Sequence, residues 1–217
     1  MKAKVKICCI SSVQEAKMAI QFGASALGLV GNMPSGPGVI DDSQILQIAR
    51  SAPPAIATFM LTSETDAEGI IAHHHRTYTN TIQMVDELKT GAFKTLRAAM
   101  PAIKLVQVIH VGDESSLDEA LRMSEMVDAI LLDSGNPNLA VKELGGTGRV
   151  HNWKISRKIV EQVQVPVFLA GGLNAGNVQQ AIEEVQPFGV DLCSGVRTNG
   201  KLDPAKLEQF FEAISKV

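Results

Sequence analysis

Val165-Pro-Val-Phe-Leu-Ala-Gly171-Gly172-Leu173-Asn174 and, close behind it, Gly189-Val-Asp-Leu-Cys-Ser194-Gly195-Val196 decide the reading of this chain. Each is a short apolar strand that runs into glycines and then toward a helix. Bare backbone N–H groups beside a helix start suit a phosphate monoester, because their partial positive charge faces the anion. Two such turns in succession suggest one shared cradle. A (β/α)8 barrel carries its phosphate site on the loops after its seventh and eighth strands. The place of this pair near the end of the chain therefore predicts a barrel that acts on a small phosphorylated molecule.

Working outward from that pair, short apolar strands alternate with amphipathic segments along the whole chain. The strands are expected at Lys4 to Cys9, Ala26 to Val30, Ala55 to Leu61, Asn80 to Val85, Lys104 to His110, Ala129 to Asp133, Val165 to Ala170 and Gly189 to Cys193. Helical patterns fall between them at Ser12 to Phe22, Asp42 to Ala52, Leu117 to Met126, Asn174 to Val185 and Asp203 to Ile214. Several open on Ser, Asp or Asn, whose side chains can cap the first free N–H groups. No linker or composition break interrupts the alternation, so residues 1–217 are expected to form a single (β/α)8 barrel domain of the α/β class. A doubly wound open sheet is the alternative. Two loops rich in glycine and proline, Asn32 to Gly38 and Ser134 to Gly148, follow the second and sixth strands, where a barrel delivers function, and either could be a lid.

Composition excludes several classes of function. With 217 residues, 45% of them hydrophobic, and a net charge of -3, the chain has the makings of a substantial core and no basic stripe for nucleic acid. No apolar run approaches the roughly 18 residues that span a bilayer, and the start reads as a strand rather than a signal peptide. Nucleic acid and membrane are therefore not expected partners, and a cytoplasmic setting is. The three cysteines, Cys8, Cys9 and Cys193, are expected to be free thiols. His73, His74 and His75 resemble a tag but fall within a helix, where side chains about 100° apart cannot converge on one ion. An exposed or half-buried helix face is expected there, and no metal site.

Chemistry is expected at the rim. In Val5-Lys6-Ile7-Cys8-Cys9 the period of two sets Lys6 and Cys8 on one face, and Val5, Ile7 and Cys9 on the other, against the helices. Cys8 would then point into the barrel mouth above an ammonium that favours its thiolate; a small buried hydrophobe is the plainer reading. The sixth strand ends in Asp133, and Ser-Gly-Asn-Pro follows it rather than a helix start, which argues against simple N-capping. A thiol and a carboxyl across a phosphate-anchored pocket make a base and an acid for moving a proton between sugar carbons. Asp191 shares a face with Cys193 and could bond sugar hydroxyls or be a satisfied buried carboxylate.

Taken together, these residues resemble the phosphoribosylanthranilate isomerase family almost from end to end. The resemblance is carried by Lys6-Ile-Cys8, by Ala24 to Val30, and by Asp133 ahead of Gly145-Gly-Thr-Gly and Trp153. It continues through Leu169-Ala-Gly-Gly-Leu-Asn174, Asn177-Val, and Gly189-Val-Asp with Ser194-Gly-Val. It implies Cys8 as general base and Asp133 as general acid, with Gly171, Gly172, Ser194 and Gly195 in the phosphate loops. Lys6, Gln83 and Asp191 become substrate-binding positions. The implied reaction is an Amadori rearrangement of a small phosphorylated substrate, N-(5-phosphoribosyl)anthranilate, by a monomer or homodimer without metal or organic cofactor.

Four departures from the family pattern cluster around the expected anthranilate end. Gly38 stands where an arginine is usual, and Val85-Asp86 where His-Gly is usual. Cys9 replaces a glycine, and His151-Asn152 replaces Phe-Asp. Lys142 or Arg149 are candidates for the missing cation. An isomerase of another phosphosugar, or a barrel that only binds a phosphorylated metabolite, are the competing functions.

Overall fold

A computed structural model of the chain describes residues 3–135 and 151–217. Its strands are β1 Lys4–Ile7, β2 Ala26–Val30, β3 Ala57–Thr62, β4 Thr81–Met84, β5 Lys104–His110, β6 Ala129–Asp133, β7 Val167–Leu169 and β8 Gly189–Leu192. All neighbours run parallel in chain order, and β1 pairs with β8 (Lys6 opposite Asp191), so the sheet closes into a barrel. That closure excludes the open doubly wound sheet. The surrounding helices are α1 Val13–Phe22, α2 Asp42–Ser51, α3 Ala67–Thr77, α4 Ala92–Ala99, α5 Ser115–Ser124, α6 Trp153–Gln162, α7 Val178–Val185 and α8 Pro204–Ile214. A small hairpin, β9 Arg197–Thr198 with β10 Lys201–Leu202, stands between β8 and α8.

The strands read as nearly unbroken apolar runs because each is buried on both faces. Ile7, Leu27, Leu29, Met60 and Ile82 point outward into the layer shared with the helices, each burying about 1.5–3 kcal/mol of side chain. Ala26, Phe59, Leu61, Val106, Leu131 and Phe168 fill the barrel interior. Phe59 and Phe168 meet edge to face there, with centroids 5.9 Å apart. Two of the expected caps form, with the Ser12 side chain accepting from the Glu15 N–H and Asp203 preceding Pro204 at the start of α8; α2 is capped by Asp41, in a reciprocal box with Gln44, rather than by Asp42.

Strand and helix ends differ from expectation where side chains intervene. β1 stops at Ile7, before both rim cysteines. α5 begins earlier than predicted, at Ser115, and α7 begins at Val178 rather than Asn174. Asn174 and Asn177 account for the second shift. Both side chains donate to the Gly172 carbonyl, and the Asn177 side chain accepts from the Asn174 N–H, which holds the intervening chain as a turn.

The histidine run is also a correction, since His73 and His74 are buried rather than set on an open helix face. His73 bridges Asp42 on α2 (3.0 Å) and Thr62 on β3 (3.2 Å), while His74 bonds the Thr79 carbonyl. Each ring is used to tie α3 to a different neighbour.

Candidate active site

At the C-terminal ends of the strands a single pocket of about 720 Å³, counting its open mouth, collects most of the residues singled out from sequence. Cys8, Gln83, Asp133, Gly171, Gly172, Asp191 and Ser194 all line it. Cys8 and Asp133 share this void from β1 and β6, with β7 and β8 between them around the barrel. Asp133 is buried, and one of its carboxylate oxygens accepts from the Ser134 N–H at 2.7 Å. The arrangement can hold a small anion beside the Cys8 thiol and the Asp133 carboxyl. Residues 136–150, with Lys142, the Gly145 to Gly148 run and Arg149, lie outside the described residues, and so does most of the second loop.

Lys6 lies under the pocket floor, fully buried, and its ammonium meets the Asp191 carboxylate at 2.8 Å. It also stands 5.3 Å from the centre of the Phe59 ring. Burial is the largest influence and opposes the Lys6 charge, but the Asp191 carboxylate, together with the neighbouring Cys8 and Cys9, outweighs it and holds the ammonium above its ordinary range. Burial likewise pushes the Asp191 carboxyl up, with Lys6 pulling the other way. The cation beneath Cys8 is therefore already answered by an ion pair. Gly28 makes room for this group: a Cβ there would sit 2.7 Å from the Cys8 sulfur and 3.0 Å from the Lys6 nitrogen. Two buried acceptors, Gln83 Oε1 and Asp191 Oδ1, find no hydrogen-bond partner among the described residues.

The glycine turns are built differently from the simple strand-to-helix junction expected. Gly171 and Gly172 take successive left-handed conformations (φ 87° and 63°), which side chains would resist. After β8 comes a single 3-10 turn, Ser194–Val196, rather than a long helix. Gly195 does not line the pocket. A Cβ on it would collide with the Leu173 carbonyl oxygen, so its bareness lets the loops after β7 and β8 touch.

Cys9 is the clearest correction. Expected to face the helices with Val5 and Ile7, it instead adopts φ 62° once the strand has ended, and its thiol turns into the pocket. There it meets the Cys193 sulfur at 2.7 Å.

Arg197 supplies the support for that turn, and sequence reading did not find it. It donates from Nη2 to the carbonyls of Cys9 (2.6 Å) and Cys8 (3.2 Å). Nη1 donates to Glu15 on α1 at 3.0 Å and Nη2 to the same carboxylate at 3.2 Å, and Glu15 also accepts from the N–H groups of Ser11 and Leu202. Nothing local to Val196-Arg197-Thr198 marks this role, because the partners lie at the far end of the chain.

The family pattern described as N-(5'phosphoribosyl)anthranilate (PRA) isomerase matches residues 5–213. N-(5'-phosphoribosyl)anthranilate isomerase 2 of Methanosarcina mazei is 38% identical over 209 residues, covering 95% of this chain and 92% of that protein. The crystal structure of phosphoribosyl anthranilate isomerase from Thermotoga maritima superposes with a TM-score of 0.83 at 27% identity, over 99% of this chain and all of that one. A phosphoribosyl anthranilate isomerase solved in complex with reduced 1-(o-carboxyphenylamino)-1-deoxyribulose 5-phosphate shares the fold, with a TM-score of 0.81 at 24% identity and coverage of 99% and 100%. With its pattern matched over nearly the whole length, this chain belongs to the N-(5'-phosphoribosyl)anthranilate isomerase family.

Proposed function

We propose that this protein carries out the Amadori rearrangement of N-(5-phosphoribosyl)anthranilate in tryptophan biosynthesis, with Asp133 as general acid and Cys8 as general base. The observation that carries the assignment of roles is the one pocket that Cys8, Asp133 and both glycine-rich loops line together. Gly171, Gly172 and Ser194 bind the phosphate through backbone N–H groups and the hydroxyl, while Gly195 keeps their two loops in contact. Binding energy gathered there, away from the reacting carbons, positions the sugar.

Asp133 protonates the ring oxygen as the furanose opens, which leaves an iminium ion at C1 and acidifies the C2 proton. Cys8 removes that proton, and the enolamine tautomerises to the 1-amino-1-deoxyribulose phosphate. Acid and base each contribute on the order of 10²–10⁴ in rate. Gln83 Oε1 and Asp191 Oδ1, buried without partners among the described residues, accept from the sugar hydroxyls, and Lys6 holds Asp191 in place. Every step is a proton transfer, so neither metal nor organic cofactor is called for. The protein works as a one-domain monomer or homodimer. Among the described residues no helix is long and apolar enough to cross a membrane.

Rescue of a tryptophan auxotroph that lacks the isomerase tests this reading. Rescue is expected from the parent chain and lost in Cys8→Ser and Asp133→Asn, whose purified proteins keep their fold while turnover falls about 10²–10⁴-fold. A soluble parent protein that fails to rescue would overturn the assignment.

A further inference from the structure

The proposed reaction uses one of the three cysteines. The other two stand together beside it. Cys9 and Cys193 come from the ends of β1 and β8, are 184 positions apart in sequence, and bring their sulfurs to 2.7 Å. Both are free thiols lining the pocket; Cys9 is buried and Cys193 is half-buried at its side. The approach is held from two directions. Backbone pairing of β1 with β8 fixes the strands, and Arg197 grips the Cys9 carbonyl and so keeps the φ 62° turn that aims the thiol inward.

We propose that Cys9 and Cys193 form a redox-active dithiol, which a low-molecular-weight disulfide converts to an intramolecular disulfide joining the ends of β1 and β8 while Cys8 stays a free thiol. The Cys193 thiolate attacks one sulfur of the small disulfide, and its S–S bond breaks to release one small thiolate. The Cys9 sulfur then attacks Cys193 in the resulting mixed disulfide and expels the second small thiolate. The two protons given up by the protein thiols go to those leaving groups. The dithiol is oxidised by two electrons, and the small disulfide is reduced to two thiols.

The roles follow from the surroundings. Contact with Cys9 holds the Cys193 thiol below its ordinary range, against burial, and the Arg197 guanidinium adds to the effect. The same contact, the neighbouring Cys8 thiol and burial push Cys9 up. Cys193, which is also the more accessible, is therefore the attacking group and Cys9 the resolving one. Cys8 is a poor partner for Cys9. Adjacent Cα atoms across a trans peptide lie about 3.8 Å apart, short of the roughly 4.4–6.8 Å that a disulfide spans, and the described residues contain no cis peptide bond. In a reducing compartment such a pair opens and closes with the thiol pool rather than serving as a permanent staple.

The test is covalent and does not depend on turnover, so its result is separable from that of the isomerase assay. The folded protein is incubated with glutathione disulfide, its remaining thiols are alkylated in denaturant, and unreduced peptides are mapped by tandem mass spectrometry. Loss of two of the three thiols is expected, with the Cys193 peptide joined to Cys9, alkylation at Cys8 alone, and full reversal by dithiothreitol. Three alkylated cysteines, a bridge through Cys8, or glutathione persisting on Cys193 would overturn the proposal. Cys9→Ser should arrest at the Cys193–glutathione adduct, and a bridge that forms as readily in that variant would also overturn it. The mapping of the parent chain decides the matter if the variant does not fold.

Discussion

The side chain of Cys9 occupies the space that any side chain at position 38 would need. A Cβ built on Gly38 runs into the Cys9 Cβ and lies 2.9 Å from its sulfur and 3.0 Å from its Cα. Two departures from the family pattern, a cysteine for glycine at 9 and a glycine for arginine at 38, are thus one steric event. Cys9 leaves no room for a side chain at 38, and the bare Gly38 accommodates it.

A four-protein cycle measures that exclusion. Gly38→Arg alone overpacks the loop against Cys9 and forces a side chain onto φ 80°, for a loss of about 1–3 kcal/mol. Adding Cys9→Gly should recover at least about 1 kcal/mol of it, because the space is vacated and residue 9 no longer carries a side chain in a left-handed conformation. The double variant is also expected to show a lower KM for phosphoribosylanthranilate than Gly38→Arg. Urea unfolding of the four proteins gives the coupling, and strictly additive changes would refute it.

Gly195→Ala probes the contact between the loops after β7 and β8, which are proposed to bind phosphate. The new methyl meets the backbone of Leu173 and Asn174, with the Asn174 Cα 3.2 Å away, and backbone cannot swing aside as a flexible side chain would. Separating the loops should weaken phosphate binding about ten-fold or more and raise KM more than it lowers kcat. Gly112→Ala is the matched control, since a Cβ there meets nothing within 4 Å. Competitive inhibition by inorganic phosphate reads the effect directly; equal inhibition of Gly195→Ala and the control would show that the contact does not shape the cradle.

How far the sequence could be read depends on how local the cause is. The strands were legible because a barrel strand buried on both faces is a continuous apolar run. Cys8 and Asp133 were legible as pocket residues because both sit at a strand's C-terminal rim. Cys9 was not, since the period of two that placed it outward ends with β1 at Ile7, and a left-handed residue follows. The delayed start of α7 depends on Asn174 and Asn177 bonding the Gly172 carbonyl, a competition between side chain and helix that composition does not resolve. Arg197 lay further out of reach, because its partners Glu15 and Cys9 become neighbours only when β8 closes on β1.

That closure makes Arg197 a positioning residue for the end of β1. Its guanidinium and the Glu15 carboxylate are both largely buried, with 7% and 12% of their side chains exposed. Arg197→Met leaves Glu15 without its charge partner and the Cys8 and Cys9 carbonyls without their donor, a loss of about 3–5 kcal/mol. Arg197→Lys keeps the charge but not the fork and should lose less. Because Cys8 would remain but lose its anchor, kcat is expected to fall with little change in KM, and the lysine variant should recover part of it. Unaltered unfolding midpoints in Arg197→Met would dismiss the clamp.

His151 predicts the acid limb of stability. Burial drives its imidazole down to about 4, only partly opposed by the Asp133 carboxylate, and its Nε2 bonds the Ser156 hydroxyl at 2.8 Å. In the unfolded chain the same group titrates near 6.5. Between those two pH values the unfolded state binds more protons than the native one, so stability present above about pH 6.5 is lost as the pH falls toward 4. The loss from this one residue should reach about 2–3 kcal/mol. His151→Phe, which installs the family's usual residue, cannot titrate and should flatten the limb across that window. Urea midpoints collected from pH 7 to 4 would test this, and parallel curves for the parent and His151→Phe would show that the buried imidazole is not what acid attacks.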